Sequence, residues 1–121
     1  MSIVLDGISR RIGNRPIVQD VTLEIADGEL FVMLGPSGSG KSTILRMIAG
    51  LAPVDAGRIV LHGRDVTAAA PQQRGVGFVF QNYALFRHMT AAENVAFALT
   101  VRGTARAERD RRAQELLDLV G

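Results

Sequence analysis

The strongest constraint on this chain's fold is a nine-residue run, Gly35-Pro36-Ser37-Gly38-Ser39-Gly40-Lys41-Ser42-Thr43, which fits the phosphate-binding pattern G-x-x-x-x-G-K-[ST]. Glycines at fixed places let successive backbone N–H groups turn inward on a polyphosphate, and lysine adds a compact charge on a flexible stem. Of the 14 basic residues, all but Lys41 are Arg. A sequence that meets every other need for positive charge with Arg, and places its one lysine here, uses it for phosphate. The flanks agree. Leu30-Phe31-Val32-Met33-Leu34 is a short, wholly apolar run that suits a strand buried on both faces. After Ser42, the residues Ile44, Leu45, Met47, Ile48 and Leu51 recur at helical spacing, and Gly50 supplies a stop signal. Strand, Gly-rich loop, helix is the order a phosphate site needs.

Composition limits the function classes. At 121 residues, 47% hydrophobic and 21% charged, the chain is of ordinary globular type and large enough for a core. It has no cysteine, hence no disulfide or thiolate chemistry. The start, Met1-Ser2-Ile3-Val4-Leu5-Asp6, lacks the basic, then apolar pattern of a signal peptide, and no run reaches membrane-span length. A cytoplasmic setting is expected. The net charge of +2 comes from scattered Arg residues, which gives no support to nucleic-acid binding.

Along the chain, Val21, Leu23 and Ile25 alternate with Thr22, Glu24 and Ala26 as a half-buried strand turning at Asp27-Gly28, and Ile3, Leu5 and Ile8 suggest its partner. Residues 57–63 and 75–81 read as further strands, with a loop over 68–73. Thr90-Ala91-Ala92-Glu93 is a capping box opening a helix to about Leu99. Gly103-Thr104 separates it from a second helix with Ala113, Leu116, Leu117 and Val120 on one face.

These motifs together resemble the nucleotide-binding subunit of ABC transporters. The phosphate loop is followed by Leu45-Arg46-Met47-Ile48-Ala49-Gly50-Leu51 and Gly57-Arg58-Ile59. The segment Gly77-Phe78-Val79-Phe80-Gln81-Asn82-Tyr83-Ala84-Leu85-Phe86-Arg87-His88-Met89-Thr90 is similar to the Q-loop of bacterial importer ATPases. Two unrelated motifs in the family's order and separation are far more specific than the phosphate loop alone. Arg87, where many importers carry Pro, together with Leu99-Thr100-Val101, looks most like the sulfate/thiosulfate subgroup. The resemblance implies an α/β fold of the P-loop NTPase, ABC ATPase type. Residues 1–88 would form the N-terminal part of the ATPase core, and residues 89–121 the start of the helical subdomain.

It also implies the site. Gly35, Pro36, Ser37, Gly38, Ser39, Gly40, Lys41, Ser42 and Thr43 would hold ATP, with Lys41 bridging the β- and γ-phosphates. Ser42 would ligate Mg²⁺, and Gln81, the Q-loop glutamine, would act in catalysis with its side-chain carbonyl reaching Mg²⁺ or the attacking water. The family's adenine-stacking aromatic falls at Ile12, which keeps apolar contact but loses the π-stack, so weaker adenine affinity is expected. Tyr83–Met89 would meet transmembrane permease subunits, with a second ATPase copy and, indirectly, a periplasmic solute-binding protein completing the importer at the cytoplasmic face of the inner membrane. No nucleic-acid partner is implied.

The family's signature Leu-Ser-Gly-Gly-Gln, Walker B carboxylates and switch His are absent from these 121 residues. Asp55, Asp65 and Glu93 do not follow apolar strands in the Walker B manner, and His62 and His88 read as structural or surface residues. The expectation is a truncated N-terminal half that binds nucleotide poorly and hydrolyses almost none. Two alternatives stand beside the importer reading: a non-transport ABC ATPase, and a non-catalytic nucleotide-binding fragment. GTPase chemistry is disfavoured because no second Lys exists for a guanine-reading Asn-Lys-x-Asp motif. Arg102, Arg106, Arg109, Arg111 and Arg112 are expected on a solvated helix face.

Overall fold

The computed structural model describes residues 2–121. They form two compact units, the first running to Phe78 and the second covering Val79–Gly121.

In the first unit, β1 (Ile3–Ile12) and β2 (Arg15–Ile25) form an antiparallel hairpin, with Ile12 opposite Arg15 at the tip and Ile3 opposite Ile25 at the base. Strand β3 (Ala56–Leu61) pairs with the other edge of β1, and the short β4 (Arg64–Asp65) with β3, giving the order β2-β1-β3-β4. Period-two patterning decides which face is covered. Val21, Leu23 and Ile25 are at least partly buried while Thr22 and Glu24 are exposed. Helix α1 (Lys41–Ala49) contributes Met47 and Ile48 to a core with Leu5, Ile8, Val18, Ile59, Leu61 and Val66. Burying side chains of this kind is worth about 1.5–3 kcal/mol each. The helix ends where the sequence predicts, at Gly50 in the left-handed conformation (φ 83°), whose N–H closes back on the Met47 carbonyl.

Two predicted strands do not form. Neither residues 30–34 nor residues 75–81 enter a ladder among the described residues, and Leu30, Val32 and Leu34 are 90%, 64% and 90% exposed. A strand exists through hydrogen bonds to a neighbour, and the four-stranded antiparallel sheet supplies none to either run. Both are non-helical stretches with much of their apolar surface uncovered. Leu30, Phe31, Met33, Val76 and Phe78 line an apolar groove of about 320 Å³ beside Leu45 and Ile48 of α1. The predicted loop over 68–73 contains a 3₁₀ turn at Pro71–Gln73, where proline's fixed φ opens the turn and Gln73 Oε1 accepts from the Ala70 N–H.

The second unit is built on α2 (Ala91–Val101) and α3 (Arg106–Val120), which pack on one another. Thr90 caps α2 by accepting from the Glu93 N–H at 3.1 Å, and the helix runs past the predicted end at Leu99. Of the predicted apolar face of α3, Ala113 is buried and Leu116 and Leu117 partly so, but Val120 is 81% exposed. Arg111 and Arg112 both pair with Glu115 on the exposed face.

Candidate phosphate-binding site

The predicted loop residues lie together at the N-terminus of α1. Gly40 enters the helix in the left-handed conformation (φ 92°), and a Cβ there would stand 2.9 Å from the Ile17 carbonyl of β2. Only glycine satisfies both demands, so the loop closes down on the hairpin. Ser39 N–H donates to the Pro36 carbonyl at 3.2 Å, which turns the loop, while residues 35–39 remain exposed.

No side chain caps the N-terminus of α1, and no acidic residue occupies its first turn. The first intrahelical bond runs from the Ile44 N–H to the Gly40 carbonyl. The N–H groups of Lys41, Ser42 and Thr43 therefore point out of the helix at the positive end of its dipole, an arrangement suited to an anion. Lys41 Nζ folds over the loop and donates to the Gly35 carbonyl, to the Pro36 carbonyl at 2.8 Å and to Ser39 Oγ at 3.3 Å. These partners of its ammonium are all neutral. Ser42 is exposed in the first turn and Thr43 half-exposed beside it, with Ser37 and Gly38 at the loop's turn.

Ile12, 59% exposed, lies at the hairpin tip. Ile17, which touches Gly40, is two residues along β2 from Arg15, the partner of Ile12.

The profile of the ABC transporter family matches residues 18–121, taking in the whole loop, α1 and both helices of the second unit. The chain belongs to the ABC transporter family. It is 52% identical over 99% of its length to the sulfate/thiosulfate import ATP-binding protein of Gloeobacter violaceus, and 53% identical over 98% to that of Nocardia farcinica. An sn-glycerol-3-phosphate import ATP-binding protein of Rhizobium etli is 50% identical over 93% of the chain. The chain spans about a third of the length of these relatives. Among solved structures, a dimeric ATP-binding cassette in a post-hydrolysis state with ADP and Pi superposes with a TM-score of 0.84 at 30% identity, over 96% of this chain and 56% of that one. A dimeric bacterial ABC transporter cassette superposes equally well at 31% identity.

In this ABC-family chain Gln81 belongs to the second unit, exposed in a turn. The segment after it is tied down by a residue that the sequence does not flag. The Asn94 side chain accepts from the Phe86 N–H at 2.9 Å and donates to the carbonyls of Phe86 at 3.1 Å and Thr90 at 2.9 Å. The Phe86 ring packs on Phe97 with centroids 4.5 Å apart and meets His88 edge-on at 6.1 Å. Tyr83 and Leu85 stay exposed, and Tyr83 and Ala84 both have positive φ. The capping pattern around Thr90 marks the helix start, but nothing local marks an Asn one turn later as a backbone clamp.

Proposed function

We propose that this chain is the nucleotide-binding part of the energy-coupling subunit of an ABC importer, with sulfate or thiosulfate as solute. The observation that carries the reading is the uncapped, acid-free N-terminus of α1 beneath a glycine loop that holds the single lysine. ATP phosphates would take the N–H groups of the loop and of Lys41, Ser42 and Thr43, with Lys41 Nζ exchanging its loop oxygens for the β- and γ-phosphates. Adenine would lie against Ile12 at the hairpin tip.

The residues fit Mg²⁺ only as an ion carried largely by phosphate and water. The Ser42 hydroxyl is exposed in the first turn, and the described residues contain no cluster of three His, Cys, Asp or Glu able to hold a metal. Ser42 would be its protein ligand at the loop, and the ion would offset charge on the phosphate oxygens during hydrolysis. These residues bind and orient phosphate but provide no evident general base, so they account for nucleotide binding rather than fast hydrolysis.

We assign residues 1–88 to the ATPase core and 89–121 to the start of a helical subdomain. The Tyr83–Met89 segment, clamped by Asn94, would receive a permease subunit at the cytoplasmic face of the inner membrane. The active assembly would contain a second ATPase copy and draw solute from a periplasmic binding protein. No helix among the described residues is long and apolar enough to cross a membrane. The relatives named for sulfate/thiosulfate and for sn-glycerol-3-phosphate import lie within a few per cent identity, so the solute rests on the Phe86-Arg87-His88-Met89-Thr90 segment. Complementation tests it. The full-length protein, expressed with its own permease in a strain lacking its sulfate-import ATPase, should restore growth on sulfate, and Lys41→Ala should not. Growth restored equally by Lys41→Ala would remove the energy-coupling role.

A further inference from the structure

Arg74 is the one charged side chain among the described residues that is buried, at 7% exposure. Its hydrogen-bond partners are carbonyls from two places. Nη1 donates to the Met47 carbonyl at 2.8 Å and the Ile48 carbonyl at 3.1 Å, at the C-terminal end of α1. Nε donates to the Ala69 carbonyl at 3.0 Å, and Nη2 to the Ala69 carbonyl at 2.9 Å and the Thr67 carbonyl at 3.2 Å. A planar fork with five N–H donors can span both sets, and an ammonium cannot. Gly50 makes the room. A Cβ there would stand 2.8 Å from Nε and 3.0 Å from Cζ of Arg74.

The two ends of α1 are thus treated differently. The negative end carries a buried cation supplied by the chain, while the positive end carries neither a cap nor an acidic residue. A nine-residue helix is roughly 13 Å long, so a tilt of about 10° at one end moves the other by roughly 2 Å. Hydrogen bonds to phosphate tolerate only a few tenths of that. We propose that Arg74 is a positioning residue for the phosphate loop, bolting the C-terminus of α1 to the 67–69 segment so that the N–H groups of Lys41, Ser42 and Thr43 stay aimed at the bound phosphates. The proposal rests on the nucleotide reading and extends it to a residue that never touches the ligand.

The test uses the full-length protein and two ligands, ATP and inorganic tripolyphosphate, because the second reports on the phosphate loop alone. Arg74→Ala should weaken both by the same factor, about tenfold, and millimolar methylguanidinium should restore much of the loss by occupying the vacated carbonyls. Arg74→Lys should remain folded, stay weak and show faster amide exchange than the wild-type protein at the bonded α1 amides from Ile44 to Gly50, with the β1–β2 hairpin unchanged. If Arg74→Ala does not fold, Arg74→Lys decides alone. Wild-type affinity and exchange in Arg74→Lys, or a loss in folded Arg74→Ala that methylguanidinium leaves untouched, would overturn the positioning role. Failure of the wild-type protein to bind either ligand would overturn the nucleotide reading itself.

Discussion

Lys41 is held by three oxygens of its own loop, Gly35 O, Pro36 O and Ser39 Oγ, within a turn fitted to an ammonium. A guanidinium is planar and bulkier at its head, so Lys41→Arg should abolish binding of ATP and tripolyphosphate despite keeping the charge. Calorimetric titration of both ligands checks this, and retained affinity would contradict the role given to Lys41. Ile12 poses the complementary case. It is exposed at the hairpin tip and apolar, but without a π-face. Aromatic stacking on a base is worth about 1–3 kcal/mol, so Ile12→Tyr should tighten ATP at least about fivefold while leaving tripolyphosphate unchanged. Equal or weaker ATP binding would place adenine elsewhere.

At the scale of elements, the clamp made by Asn94 and the acid-base pairing on α3 carry separate expectations. Removing the Asn94 side chain leaves the exposed Phe86 N–H to water, a loss of about 0.5–1.5 kcal/mol. Asn94→Ala should therefore lower hydrogen-exchange protection at the Phe86 amide several-fold, with α1 unaffected. On α3, the hydrogen bond from Arg112, followed by the charge of Arg111, holds the Glu115 carboxyl below its ordinary value of 4.5. A depressed folded-state value means that the pairing stabilises above 4.5 and is lost as pH falls through that depressed value. NMR titration of the Glu115 carboxyl carbon should give a midpoint below 4.5 that moves up in Arg112→Met. A midpoint at or above 4.5 in the wild-type chain would show that the pairing is not formed in solution.

Across the whole molecule, what could be read from the sequence follows the range of the interactions. The phosphate loop, the Gly50 stop and the Thr90 cap are set by residues within a turn of one another, and each occurs where its local pattern puts it. Alternation over residues 21–26 marked part of β2, and Ile3, Leu5 and Ile8 suggested its partner, whereas the hairpin tip at Ile12 and Arg15 carried no such pattern. Residues 30–34 and 75–81 were not, because an apolar run reports a tendency to be buried, whereas a strand needs a specific neighbouring backbone. Arg74 and Asn94 were missed for a related reason. Both bind main-chain groups, chiefly carbonyls, which every residue has, so no partner residue type betrays them. The uncovered side chains of Leu30, Val32 and Leu34 form the kind of apolar surface that seeks a partner.

The central claim is that the N-terminus of α1 and its glycine loop constitute a phosphate site, and backbone amides report on that directly even when affinity is low. The chain is 13.0 kDa, well within reach of amide NMR. Titrating ATP, and then tripolyphosphate, into the ¹⁵N-labelled chain should shift the amides of Gly38, Gly40, Lys41, Ser42 and Thr43 in a saturable way with both ligands, and only ATP should also shift Ile12. Shifts confined to the Arg-rich face of α3, or none in the loop at saturating ligand, would contradict the account.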